Sequence, residues 1–304
     1  MKTIGLIGGM SWESSIEYER IIHEEVRARL GTTHSAKTIH WTFDFHEIEA
    51  LQEAGDWETA TAEMIRAATA LETAGAELLL ICTNTMHLMY DDVRDAVDIP
   101  VLHIADATAD AIKAAGLVSV GLLGTAYTME QAFYRGRLED PHGLAALIPG
   151  DAERADVHRI IYDELVRGEV RDTSRARYLE IIEGLVATGA EGIIAGCTEV
   201  ELLVAAEDLD VPYFPTARIH ALAAVDAAPD YRRADTLLAQ GRRMFPKLAP
   251  SSLTRWMGCR PSLPDGLPVI GPAPGYGNVW LAFGHAHTGM IGAPVRTASR
   301  AAPV

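Results

Sequence analysis

Two short runs hold the side chains of this sequence best suited to chemistry. Cys82-Thr83-Asn84-Thr85 follows the apolar stretch AGAELLLI, and Cys197-Thr198-Glu199 follows GAEGIIAG. Each offers a thiol and hydroxyls; the first adds an amide, the second a carboxylate. Such groups move protons and hold the charged ends of small molecules. They can act together only if the fold brings the two runs to one place.

The runs are two copies of one pattern. Gly75-Ala76-Glu77 matches Gly189-Ala190-Glu191, an offset of 114 that sets Thr83 against Cys197 and Cys82 against Gly196. Helical patterns precede both copies, TATAEMIRAATALETAG and SRARYLEIIEGLVATG. IGLIGG at 4–9 resembles VGLLGT at 120–125 at nearly the same offset, so an internal duplication is the economical explanation. The short apolar runs TIGLIG, TIHWTFDF, AELLLIC, VSVGLLG and EGIIAGC alternate with helical segments. The expected fold class is therefore α/β, two pseudo-symmetric halves with parallel sheets flanked by helices, over residues 1–228. Ligands of such sheets sit beyond the carboxyl ends of the strands. Two facing halves would put the two runs on opposite walls of one cleft, a geometry for reactions that need one group on each face of a small molecule.

Composition narrows the partners. A formal charge of −16 disfavours nucleic acid and anionic membranes. No stretch approaches the roughly 20 apolar residues of a membrane helix, and MKTIGLIGGM is expected to be a first strand rather than a secretory signal. Three cysteines without paired spacing point to a reducing, cytoplasmic setting. No cofactor is expected. The lysines are Lys2, Lys37, Lys113 and Lys247, none in a convincing Schiff-base setting for pyridoxal phosphate. GLIGG at 5–9 is not a dinucleotide fingerprint, and His87, His103 and His220 are scattered without a metal-ligand pattern.

GGMSWESSIEY, CTNTMH, HIADAT at 103–108, LLGTAYTMEQAFYRGRL and GCTE together resemble the aspartate/glutamate racemase superfamily, whose members epimerise the α-carbon without a cofactor. The resemblance implies a homodimer acting on a small amino acid, with a thiol from each half flanking the substrate. One group removes the α-proton from one face while another delivers a proton to the other. A thiol suits both tasks because its pKa, roughly 8.5, lies near operating pH. Cys197 falls after a strand and before a helix, where N–H groups and the helix dipole are expected to favour the thiolate. Asn84, Thr85 and Thr198 are candidates to bind the substrate carboxylate, with backbone N–H groups around Met10 and Thr125. Glu199 is a candidate to hold the α-ammonium or orient the thiol. Helix capping explains Thr85, Thr125 and Thr198 equally well, and a first-turn carboxylate explains Glu199.

The chain departs from the family at one position. The usual first-half motif is Cys-Asn-Thr, and here it is Thr83-Asn84-Thr85. Cys82 is one residue off, which in a strand turns it to the opposite face and into the core. A hydroxyl can relay or donate a proton but is a poor base. The implied enzyme is an asymmetric racemase with Cys197 as strong base and Thr83 in the place of the second thiol, and the resemblance to Thr-containing members points to the L-enantiomer as the good substrate. Aspartate or glutamate comes first, with homoserine-like and other polar amino acids open. Thr38 to Met64 contains no Arg or Lys; Glu47 and Gln52 are expected near a helix start, with Gln52 either contacting substrate or facing solvent. Arg167 could supply positive charge or simply close a helix. The rival readings are a single-thiol decarboxylase of the same superfamily, an amino-acid-binding protein and a flavoprotein.

From about Asp230 the texture changes. RWMGCRPSLPDGLPVIGPAPGYGNVWLAFGHAHTGMIGAP at 255–294 resembles the C-terminus of FAD-dependent D-amino-acid dehydrogenases, with a GH-x-x-x-G-type turn at His285. The nucleotide-binding half is missing, so no flavin is expected to bind. His285 and His287 are too few for a metal, and Cys259 reads as a passenger. Residues 229–304 are expected to form an incomplete appendage, open to partial disorder because a fragment without its partner strands cannot bury its apolar face.

Overall fold

The computed structural model describes residues 1–31 and 33–228, and beyond them the backbone of two strands at 269–272 and 280–283. Two four-stranded parallel sheets organise the first 228 residues. The first runs in the order β2 (Lys37–Thr42), β1 (Thr3–Gly8), β3 (Leu78–Ile81), β4 (Val101–Leu102). The second runs β6 (Ala145–Leu147), β5 (Ser119–Gly124), β7 (Ile193–Gly196), β8 (Tyr213–Pro215). The order is the same with each number advanced by four, so the repeat seen in the sequence is a repeat of topology.

The register carries the repeat down to single residues. Gly5 pairs with Leu79 in the first sheet, and Gly121 with Ile193 in the second. A Cβ on Gly5 would lie 2.5 Å from Leu79 Cδ2, and one on Gly121 would lie 2.8 Å from Ile193 Cδ1 and 3.0 Å from Leu185 Cδ1. Both glycines make room for the side chain that the neighbouring strand lays across them. Leu79 and Ile193 stand at the 114-residue offset, which is therefore a spatial equivalence.

The helices of the first half are α1 (Trp12–Leu30), α2 (Phe45–Ala54), α3 (Trp57–Thr73) and α4 (Tyr90–Asp95); α5 (Ile104–Ala114) leads into the second half. There follow α6 (Ala126–Glu130), α7 (Ala132–Glu139), α8 (Asp151–Asp163), α9 (Asp172–Ala187), α10 (Val200–Leu203) and α11 (Thr216–Ala227). Apolar spacing explains how they sit: α3 buries Ala60, Met64, Ala67, Ala68 and Leu71, and α9 buries Tyr178, Ile181, Ile182 and Leu185. The last helix does not stay with its own sheet. Ala217, Ala221, Ala224 and Val225 of α11 pack with Ile4, Leu6, Tyr18, Leu78, Leu80 and Cys82 of the first half. Lys2 N–H also donates to Ala228 O at 2.8 Å. Small side chains let α11 approach closely, and the second half thereby completes the core of the first.

Three histidines that are far apart in the chain meet beside this junction. The His87 ring lies 4.7 Å from His103 and 5.7 Å from His220, centroid to centroid. Their nitrogens are engaged locally: Ala105 N–H donates to His103 Nδ1, Tyr18 hydroxyl to His220 Nδ1, and His220 Nε2–H to Leu102 O. Burial pushes their pKa values down, to about 4 for His87, about 2 for His103 and about 3 for His220. The expectation of scattered histidines is thus corrected, although among the described residues no group of three or more His, Cys, Asp or Glu side chains is placed to hold a metal ion.

Beyond residue 228, β9 (Val269–Pro272) and β10 (Trp280–Phe283) pair antiparallel, with Val269 opposite Phe283. Cys259, His285, His287 and the rest of the 229–304 appendage lie outside the described residues. Among the described residues no helix is long and apolar enough to cross a membrane.

The buried histidines make stability depend on pH. Each is neutral in the folded protein, whereas the unfolded chain takes up a proton near pH 6.5. Stability is then fully present above pH 6.5 and falls as pH drops toward the folded pKa values, by about 1 kcal/mol per pH unit for each histidine. Denaturant unfolding of His220→Gln between pH 6 and 4.5 should show a pH slope shallower than wild type by about that amount; an unchanged slope would contradict neutral burial of this ring.

Candidate active site

Both chemistry-bearing runs sit just past a strand end, where the backbone stops pairing with its neighbours. Cys82 still belongs to the ladder, its N–H donating to Ile7 O at 2.9 Å, and its side chain is fully buried in the core. Burial pushes its thiol pKa up. Its counterpart Gly196 has no room for a side chain, since a Cβ there would lie 2.8 Å from Leu123 O. One residue further on, Thr83 and Cys197 leave their strands and line the same cleft. Met10, Gln52, Asn84, Thr85, Thr125, Thr198 and Glu199 line it as well, so nine of the residues singled out in the sequence come together.

Glu199 organises the wall around the thiol. On Oε1 its buried carboxylate accepts from Ser11 Oγ at 2.6 Å and has Ser14 Oγ at 3.1 Å; on Oε2 it accepts from Cys197 Sγ at 2.9 Å and has Thr198 Oγ1 at 2.9 Å. Ser14 and Thr198 hydroxyls also bond to each other, and because each has a single hydrogen, the one that donates in that contact does not also donate to Glu199. The serines come from the start of α1 and the other donors from the turn after β7, so one carboxylate ties the halves together. It also sets the state of the thiol: burial first, then the negative charge and hydrogen bond of Glu199, push the Cys197 pKa well up. This corrects the expectation of a favoured thiolate. The following helix, α10, has only four residues, and a carboxylate beside the sulfur outweighs its weak dipole. Nearby on α10, burial and the charges of Glu17 and Glu199 push the Glu201 carboxyl up to about 8. The local field favours a cation, such as an α-ammonium.

The rest of the cleft is built from neutral groups. Thr216 hydroxyl donates to Ala195 O at 2.8 Å, so it must accept from Asn84 Nδ2, 3.0 Å away. That fixes the amide orientation and leaves Asn84 Oδ1 buried without a partner among the described residues. Thr85 and Thr125 hydroxyls meet at 3.1 Å across the halves, and Thr125 also caps α6 through Thr128 N–H at 3.3 Å. Capping and cleft-lining therefore coincide in Thr125. Thr83 hydroxyl makes no hydrogen bond among the described residues.

Gln52 lies in the last turn of α2, not at a helix start, and it is buried rather than facing solvent. Tyr162 hydroxyl of α8 donates to Gln52 Oε1 at 3.1 Å, and Gln52 Nε2 donates to Met86 Sδ at 3.3 Å. Arg167 is exposed beside Gly168, whose φ of 73° closes that turn, and it does not line the cleft. Indeed none of the lining side chains is Arg, Lys or His. Ser11, Ser14 and Tyr162 carried no role in the sequence reading. The serines stood in the polar run after β1, a visible signal, whereas Tyr162 lies in a helix with nothing to mark it.

The chain resembles known proteins over most of its length. The family described as Asp/Glu/Hydantoin racemase matches residues 7–224. A crystal structure of a provisional Asp/Glu racemase from Yersinia pestis is 55% identical, with a TM-score of 0.71, covering 75% of this chain and 99% of that one. An aspartate racemase homologue from Pyrococcus horikoshii is 36% identical, with a TM-score of 0.67, over 76% of this chain and 100% of that one. A separate likeness, 44% identity over 75 residues, covers 23% of this chain and 18% of a D-amino-acid oxidase from Bradyrhizobium diazoefficiens. The chain thus spans less than a fifth of the length of the curated relatives it matches first.

The Cys197–Glu199 contact has a measurable consequence without any substrate. Glu199→Gln removes the charge that holds the proton on sulfur, so the thiolate forms at lower pH. Alkylation of Cys197 by iodoacetamide at pH 8, with Cys197→Ser as background, should quicken by about tenfold, one pKa unit. An unchanged or slower rate would show that Glu199 does not control the thiol.

Proposed function

This chain belongs to the Asp/Glu/hydantoin racemase family, and we propose that it is an asymmetric, cofactor-independent amino-acid racemase of L-aspartate, L-glutamate or similar polar amino acids, working as a cytoplasmic homodimer. The observation that carries the proposal is that Thr83 and Cys197, equivalent in the internal repeat, line one cleft while only Cys197 has a carboxylate partner.

The substrate enters as a zwitterion. Its ammonium is met by the unpartnered Asn84 Oδ1 and the acidic wall around Glu199, its carboxylate by Thr85, Thr198 and the N–H groups of the turns at Met10 and Thr125. Gln52 and Tyr162 offer neutral hydrogen bonds to the side-chain end, where the described lining includes no Arg, Lys or His. The ammonium opposes the field that raises the Cys197 pKa, and the thiol passes its proton to Glu199. The thiolate then takes the α-proton of the L-substrate, and the C–H electron pair spreads into the α-carboxylate. Thr83 hydroxyl gives its proton to the opposite face and is refilled from a cleft water; Glu199 returns a proton to solvent and closes the cycle. The segment after residue 228 takes no part and is proposed to be an appended dehydrogenase-like fragment.

The two enantiomers have equal free energies, so kcat/KM must be equal in the two directions. Asymmetry appears instead in exchange. An L-substrate deprotonated by Cys197 can return with solvent deuterium before Thr83 acts. Nuclear magnetic resonance in D2O should show L-aspartate or L-glutamate exchanging Cα–H faster than it racemises, and the D-form exchanging no faster than it racemises. Cys197→Ser should lower both processes by at least about 10²-fold. Equal exchange of the two enantiomers, or none, would overturn the proposal.

A further inference from the structure

The two reacting groups are held in different ways. At the 114-residue offset the counterpart of Glu199 is Thr85, so the first half has a hydroxyl where the second has a carboxylate. It also has His87. His87 Nδ1 lies 2.7 Å from Thr83 O, and Ile104 N–H donates to His87 Nε2 at 3.2 Å. An amide N–H can only donate and a carbonyl can only accept. The ring must therefore accept at Nε2 and carry its hydrogen on Nδ1, one neutral tautomer that satisfies both contacts. The ring is buried, stacks on Tyr90 and packs against His103 and His220, which leaves it little freedom. The position equivalent to His87 in the second half is Glu201, and there the Cys197 carbonyl accepts a backbone hydrogen bond, from Val200 N–H at 3.1 Å, and none from a side chain among the described residues.

We propose that His87 is a positioning residue for the reaction: by clamping the Thr83 carbonyl to the first residue of α5, it sets the direction of the Thr83 hydroxyl that reprotonates the substrate. The inference rests on the racemase reading above. It gives His87 a role on one face of the substrate only. Loosening the Thr83 turn slows delivery of the second proton, and leaves removal of the first by Cys197 untouched.

The ratio of racemisation to Cα–H exchange of the L-substrate in D2O separates this role from a general structural one, which would depress both rates together. His87→Leu has no donor, and His87→Gln carries its donor near the Nε2 position, out of line with Thr83 O. Both should lower the ratio by about tenfold, the scale of an ångström-sized misplacement or less. His87→Asn, whose amide nitrogen lies near the Nδ1 position, should restore it to within about threefold of wild type. Should the leucine variant fail to fold, the glutamine and asparagine variants carry the same comparison. Nitrogen-15 spectra of the wild-type ring should show the Nδ1–H tautomer. An unchanged ratio in His87→Leu and His87→Gln, an Asn variant no better than Gln, or the Nε2–H tautomer would each overturn this role alone. Absence of any exchange in wild type would overturn the racemase reading, and this role with it.

Discussion

The buried carboxylate of Glu199 is the contact on which the site depends. A carboxylate withdrawn from water costs several kcal/mol unless donors surround it, and here four side chains stand within hydrogen-bond distance of it. Two come from the first half and two from the second, so satisfying one charge fixes how the halves meet. The same charge holds the proton on Cys197 in the resting protein. Assembly of the cleft and the resting state of its thiol are therefore two effects of one electrostatic requirement. The hydroxyls of Ser11 and Ser14 are useful in this place because they are short, donate readily and carry no charge of their own to neutralise the carboxylate.

Duplication supplies the frame, and small departures from it supply the asymmetry. Sheet order and register repeat, down to the two glycines over which Leu79 and Ile193 close. The strand ends then diverge. The first copy fills its last ladder position with buried Cys82 and presents Thr83; the second keeps Gly196 there and presents Cys197. Beyond these, one copy carries Asn84, Thr85 and His87 where the other carries Thr198, Glu199 and Glu201. One wall thus gathers negative charge around a thiol. The other gathers neutral donors and acceptors around a hydroxyl.

Much of this was legible in the sequence because it is local and periodic. Alternating apolar runs and helices marked the α/β class, and the repeat marked Thr83 rather than Cys82 as the partner of Cys197, a distinction that period-two strand geometry makes sharp. The residues lining the cleft were legible as the polar runs after strands. What escaped depends on contacts between distant segments. Helical position suggested a thiolate at Cys197, but the sulfur faces a carboxylate whose orientation is fixed by serines from the first half. Gln52 is solvent-facing on composition alone and buried because Tyr162 of the other half covers it. The histidines looked scattered because α11 crosses from the second half to the first, bringing His220 to Tyr18 and Leu102. No spacing within the chain announces that crossing.

The central claim is that Thr83 and Cys197 are the two proton-handling positions and that the hydroxyl limits one face. The most direct measurement is Cα–H exchange of the D-substrate in D2O by Thr83→Cys beside wild type. The account predicts a gain of at least about tenfold in D-exchange, as a thiol replaces a hydroxyl as base, with L-exchange little changed. A Thr83→Cys protein that folds, exchanges the L-form as before and gains nothing on the D-form would contradict it.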